Sequence, residues 1–223
     1  SFPSLRRDRR ETTCDNDTMM RFLDFLFPPR VDERVLRDIS ADAFLALVAP
    51  ELVPETRPGT VALLPFHASS VRAAIHEAKY HGSERAFAFL GSALADYLRD
   101  CDDVGRSTSY IVLVPVPLGR QRRKERGFNQ AEEVAKRAAK ELDLDVDAAL
   151  LTRVRETTSQ ISLPREEREK NLHGAFSAAH QADPTYTYIL VDDVLTTGAT
   201  LQAAIDALRD AGAEHLIPLA LAH

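Results

Sequence analysis

Four largely apolar residues, Tyr188, Ile189, Leu190 and Val191, run without polar alternation straight into two carboxylates, Asp192 and Asp193. An unbroken apolar run of this length is the pattern of a strand covered on both faces, as in a parallel sheet flanked by helices. The pattern then changes. Thr196, Thr197 and Gly198 make a polar turn, and Ala199 to Leu208 follow helical spacing. The same alternation recurs upstream, with Val61–Phe66 and Ile111–Val114 predicted as strands and Ser70–Tyr80, Glu84–Arg99 and Asn129–Leu142 as helices. Leu150–Val154 reads as a further short strand, and His215–Leu221 as the last, after a helix closed by Gly212. Near the start, a helix over Thr18–Phe27 is stopped by Pro28-Pro29, and another runs from its cap Ser40 to Val48. Pro50, Pro54, Pro58 and Gly59 predict a loop. Strands alternating with helices in this way predict an α/β fold with a mostly parallel central sheet.

Composition sets bounds on this picture. The chain has 223 residues, of which 44% are hydrophobic and 28% charged, enough for one real core under a soluble surface. Its formal net charge of −6 argues against coating nucleic acid with the whole surface, though not against a local basic strip. Cys14 and Cys101 form no Cys-x-x-Cys pair, so neither a disulfide framework nor a zinc ribbon is indicated. The longest apolar runs, Ile111–Leu118 and Leu216–Ala222, are too short to span a bilayer. Residues 1–18 are charged, without the apolar core of a secretory signal, and read as a disordered extension. Residues 19–59 read as an N-terminal helical segment and 60–223 as the main domain, with the cytoplasm as the expected location.

The order of groups after the central strand points to a ligand. Acids at the carboxyl end of a parallel strand lie where open α/β sheets bind ligands, and a helix start beyond them favours an anion. Two adjacent acids suit vicinal hydroxyls and the turn suits a phosphate; a ribose 5-phosphate has both. A P-loop hydrolase would need a Gly-Lys pair and a dinucleotide fold a G-x-G-x-x-G loop, and the chain has neither. A merely structural strand with a capped helix would explain Thr197 and Gly198 but not the acids. Tyr188–Leu201 resembles the phosphoribosyl pyrophosphate signature of type I phosphoribosyltransferases. That resemblance implies a type I phosphoribosyltransferase fold with a hood. It also implies that Asp192 and Asp193 take the ribose hydroxyls, while Thr196, Thr197, Gly198, Ala199 and Thr200 surround the 5-phosphate.

A second segment follows the strand Ile111–Val114. Val116 and Pro117 lead into a stretch where Arg120, Arg122, Arg123, Lys124 and Arg126 crowd together, a basic loop suited to pyrophosphate. The run from Val114 to Ala135 resembles the ComF family, phosphoribosyltransferase-like proteins associated with DNA uptake. So do Lys79-Tyr80-His81-Gly82 and the stretch from Gln160 to Phe176. The likeness implies a hood or lid bearing Gln160, Arg165, Arg168 and Asn171, the last three recurring at a spacing of three along one helical face. It departs from the family at the N-terminus, where Phe25-Leu26-Phe27-Pro28-Pro29-Arg30 is followed by none of the paired cysteines of a zinc ribbon.

The resemblance implies an enzyme transferring the phosphoribosyl group of phosphoribosyl pyrophosphate to an acceptor, with Asp192, Asp193 and Arg126 as candidate catalytic residues. Val116, Pro117, Arg120, Arg122, Arg123 and Arg126 would receive the pyrophosphate. Magnesium is the implied cofactor, held through the substrate phosphates and the Asp192–Asp193 pair. A nucleoside 5′-monophosphate is an alternative ligand, and a homodimer is compatible with the pattern. Two other readings keep the sugar-phosphate pocket: a non-catalytic competence factor that handles single-stranded DNA with the basic loop, and a nucleotide-sensing regulator. His67, His76 and His173 carry no ligand spacing and are assigned no role.

Overall fold

The apolar run ahead of Asp192 lies at the centre of a six-stranded sheet. The computed structural model describes residues 30–101, 110–155 and 174–223. The large sheet contains β1 (Glu51–Val53), β2 (Thr60–Leu64), β3 (Ile111–Pro115), β4 (Asp145–Val146), β7 (Thr187–Val194) and β8 (His215–Ala222). Its order is β1-β2-β8-β7-β3-β4, parallel throughout except for the antiparallel β1–β2 pair. A separate antiparallel pair, β5 (Leu151–Arg153) with β6 (Phe176–Ala178), stands beside it. The helices are α1 (Val31–Asp38), α2 (Ala41–Leu45), α3 (Ser69–His81), α4 (Glu84–Asp100), α5 (Arg120–Arg126), α6 (Gln130–Leu142) and α7 (Ala199–Asp210).

The unbroken apolar pattern is explained by two cores. Ile189 and Val191 of β7 face one core with Leu63, Leu113 and Leu219, packed against α1–α4 and α6. Tyr188 and Leu190 face the other with Val112, Val114 and Ala220, covered by α7 and the β5–β6 pair. Successive side chains point to opposite faces, so a strand buried twice over must be apolar at every position.

Three local expectations need correction. The proline-rich loop at 50–59 contains strand β1, because Val53 is buried and 51–53 pair with 60–62, so the sheet begins ahead of residue 60. The stretch from Arg120 to Arg126 is a short helix, not a loop; its charged side chains are good helix formers, and Gly127 ends it in the left-handed region at φ 81°. Helix α7 is capped by Ala211, with Gly212 following at φ 99°. The extension 1–18, the helix at 18–27, Cys14, His173 and the hood residues Gln160, Arg165, Arg168 and Asn171 lie outside the described residues.

Two contacts hold the elements that build the site. Asn129 caps α6 by accepting from the Ala131 N–H at 3.2 Å and donates to the Val116 carbonyl at 3.0 Å, tying the helix to the turn after β3. Further along, α4 and α6 approach closely at Gly91, where an added Cβ would lie 2.7 Å from Arg137 Cβ. Both atoms are fixed to backbone, so neither can turn away. Gly91→Val is therefore expected to force the helices apart and lower stability by about 1–3 kcal/mol, read as a shifted urea midpoint.

Candidate functional site

The site forms where the sheet changes direction. The connection from β3 through α6 leads outward to β4, while that from β7 through α7 leads the other way to β8. The β3–β7 boundary is therefore the topological switch point at which such sheets bind ligands. Pairing between these strands ends at Pro115 and Val191, with the Val116 N–H donating to the Val191 carbonyl at 2.9 Å. Asp192 and Val194 still pair with β8, but on the β3 side a cleft opens. Its lining includes Asp192, Asp193, Val116, Pro117, Arg122 and Arg126.

The acid pair is held asymmetrically. Asp193 meets Lys79 Nζ at 3.0 Å and accepts a hydrogen bond from the Gln130 amide, while its own N–H donates to Asp192 Oδ1 at 2.9 Å. Asp192 is placed differently. Burial, and then the neighbouring Asp193 charge, push its carboxyl up to about 7, with Lys79 and Arg153 pulling the other way. The pair thus carries a proton that is lost near neutrality.

Beyond the acids the chain turns into α7. Thr196 and Thr200 reach the main cleft, and Thr196, Thr197, Gly198, Ala199 and Thr200 line a smaller recess opening beside Asp192. No acidic residue stands in the first turn of α7, so its backbone N–H groups keep their attraction for an anion. Gly198 is required twice over. Its φ of 72° is left-handed, and a Cβ would lie 2.9 Å from the Glu55 carbonyl on the turn between β1 and β2. The same turn docks on α7 through the Arg57 N–H, which donates to Gln202 Oε1 at 2.7 Å.

The basic residues divide between two faces. Arg122 and Arg126 line the cleft, with Arg126 donating to Gln130 Oε1 at 3.0 Å and lying over the Tyr80 ring at 5.1 Å. Arg123 instead pairs with Glu132 on α6 at 2.9 Å, and Arg120 does not line the cleft. The structure adds Lys79, Leu118, Gln130 and Arg153 to the wall. Lys79 stands in the Lys-Tyr-x-Gly segment and Gln130 at the end of the basic stretch, so both lay inside noticed motifs. Their roles depend on reaching Asp193 from α3 and α6, which no local spacing encodes. Arg153, at the end of β5 with its guanidinium 5.4 Å from the Phe176 ring, had no signal at all.

The family model described as "Phosphoribosyl transferase domain" matches residues 125–222, which include the acid pair and the recess at the start of α7. The chain is 37% identical over 106 residues to "Competence protein F" of Haemophilus influenzae, covering 47% of this chain and 46% of that protein. It is 37% identical over 89 residues to "DNA utilization protein YhgH" of Salmonella typhi, covering 40% and 39% respectively. It is 35% identical over 104 residues to "Competence protein ComFC" of Bacillus subtilis, covering 46% and 40%. The chain thus spans less than half the length of these curated relatives. Among the described residues, no helix is long and apolar enough to cross a membrane.

Two outcomes follow from this geometry. Because the folded Asp192 carboxyl titrates near 7 and an unfolded one near 3.8, the native state holds a proton in that window that the unfolded chain lacks. Stability gained from this proton is greatest on the acid side and is lost as pH rises from about 4 through 7. Asp192→Asn should remove this component, so variant minus wild-type unfolding free energy, from urea melts at several pH values, should increase with pH across the window. Gly198→Ala should lower stability by more than about 1 kcal/mol, since the left-handed backbone and the Glu55 carbonyl both oppose a Cβ. Differential scanning calorimetry of the variant checks it.

Proposed function

We propose that this chain, which belongs to the ComF family of phosphoribosyltransferase-like proteins, binds a 5-phosphoribosyl donor in the cleft between β3 and β7 and transfers its sugar to a nitrogen acceptor. The observation that carries this reading is the convergence of an acid pair, the threonine-lined recess at the start of α7 and two arginines on one cleft. In the transfer, the bond from the anomeric carbon to pyrophosphate breaks, its electrons leaving with the pyrophosphate, as the acceptor nitrogen forms a bond to that carbon. The transition state is cationic at the sugar.

Each group then has a place. Asp192 and Asp193 accept the ribose hydroxyls and lie beside the developing positive charge, where fixed carboxylates act without reorganising. The Thr196–Thr200 backbone and hydroxyls hold the 5-phosphate at the start of α7. Arg122 and Arg126 take the pyrophosphate oxygens, their guanidinium forks suited to paired contacts. Lys79 and Gln130 fix the Asp193 carboxylate so that the pair is presented in one orientation. The donor set suits magnesium, which binds through one or two carboxylates together with substrate phosphates; when bound it would neutralise charge on the departing pyrophosphate.

A second reading rests on a specific feature, a helix α5 in which no residue is buried and whose Arg123 and Lys124 stand off the cleft. Relatives named for competence and DNA utilization make single-stranded DNA the natural polyanion for that face.

The donor reading is tested by thermal shift. Phosphoribosyl pyrophosphate with magnesium should stabilise the wild type by about 2.7 kcal/mol at a hundredfold excess over its Kd. Asp192→Asn combined with Asp193→Asn should remove most of that shift, and equal shifts in both proteins would refute the assignment. Pyrophosphate release across a panel of bases and amines then separates turnover from binding. For the DNA reading, oligonucleotide affinity should fall with salt by a log–log slope of roughly −0.7 per phosphate neutralised. Arg123→Ala with Lys124→Ala should flatten that slope and spare donor binding, whereas no binding at low salt removes the reading.

A further inference from the structure

The end of α3 carries a cluster that the donor cleft does not use. His76, Glu77 and His81 bring two imidazole nitrogens and a carboxylate oxygen within 4.8 Å of one another. A fourth donor comes from α1, where Asp32 Oδ2 lies 2.9 Å from His76 Nδ1. His76, Glu77 and His81 all lie on α3, and the packing of α1 against that helix brings in Asp32. Two imidazoles with carboxylate oxygens form a mixed set that suits zinc and neighbouring transition ions, whereas magnesium and calcium favour oxygen alone.

Glu77 is the anchor of the cluster. Its side chain is only 1% exposed and accepts both arms of the Arg30 guanidinium, at 3.0 and 2.8 Å. Asp32 and Glu33, as well as Glu77, lie around the Arg30 guanidinium, so carboxylates outnumber this cation at the cluster. Each carboxylate oxygen has two lone pairs, so Glu77 can keep Arg30 and still offer Oε1 toward His81 Nε2, 3.9 Å away. Ligand bonds of about 2.0–2.2 Å place tetrahedral donors about 3.4 Å apart, so that pair needs to close by only about half an ångström. The two histidine side chains, 48% and 31% exposed, have room to turn.

We propose that His76, Glu77 and His81, with Asp32 from the facing helix, bind a divalent transition ion of the zinc class that fastens α1 to α3. The ion would lie on the helix that delivers Lys79 to Asp193, and beside Tyr80, whose ring is 4.8 Å from His76 and carries Arg126. Metal loading would therefore stiffen one wall of the donor cleft from outside.

The test uses the full chain, stripped with a chelator and titrated with Co2+, whose tetrahedral complexes absorb visibly. A band saturating at one ion per chain and displaced by Zn2+ is expected, together with a Zn2+-dependent rise in melting temperature. His76→Ala and His81→Ala should each weaken Co2+ binding by about tenfold or more, while His180→Ala, at the separate Asp147 pair, should leave it unchanged. Circular dichroism confirms that the variants remain folded, as expected for side chains at the surface. No band in the wild type, or unchanged affinity in both histidine variants, overturns the proposal. So does Co2+ binding that is gained only after Arg30→Ala, because Arg30 would then be the resident cation.

Discussion

Everything at the cleft depends on holding two adjacent carboxylates at the end of a buried strand. Side by side and partly shielded from water, Asp192 and Asp193 repel one another, though within the strand the Asp193 N–H donates to Asp192 Oδ1. The structure meets this demand from two directions. Lys79 arrives from α3 and Gln130 from α6, both on Asp193, so one acid is held in place while the other faces the cleft. Two helices distant in the chain are thereby committed to positions set by a single side chain. The Asn129 bridge to Val116 keeps α6 in register for that contact.

The division of the arginines follows from the same economy of charge. Arg126 is drawn toward the acids through Gln130 and backed by the Tyr80 ring, while Arg123 is drawn off by Glu132, whose carboxyl is also held by Lys136. A helix of seven residues, about two turns, must send its side chains in several directions. The five basic residues of α5 thus divide between surfaces, with Arg122 and Arg126 lining the cleft and Arg123 turned to α6.

Much of this was legible in the residues, and what was not has physical causes. The central strand, its acids and the turn before α7 were readable because double burial writes an unbroken apolar run and the recess that follows is local in sequence. Helix α6 was readable from its composition. Strand β1 was hidden by its prolines, since Pro50 and Pro54 flank a segment of only three residues whose pairing depends on β2. Helix α5 was masked by its own charge, which reads as a solvated loop until Gly127 is seen to cap it. The roles of Lys79, Gln130 and Arg153 were not legible because they depend on tertiary reach, and in the α1–α3 cluster Asp32 is more than forty residues from the histidines and Glu77 of α3.

The margins of the sheet carry a consequence of their own. On one side the outermost strand, β1, has three residues; on the other, β4 has two. A margin that short offers few unpaired amide and carbonyl groups for a neighbouring molecule to extend. The four interior strands, which would be hazardous if bared, are thus closed off at both sides, among the described residues, by scraps of strand too brief to template growth. Fibril formation by this domain would have to begin with the peeling away of β1 or β4, so mutations that loosen those two short pairings should favour aggregation well before they disturb the cleft.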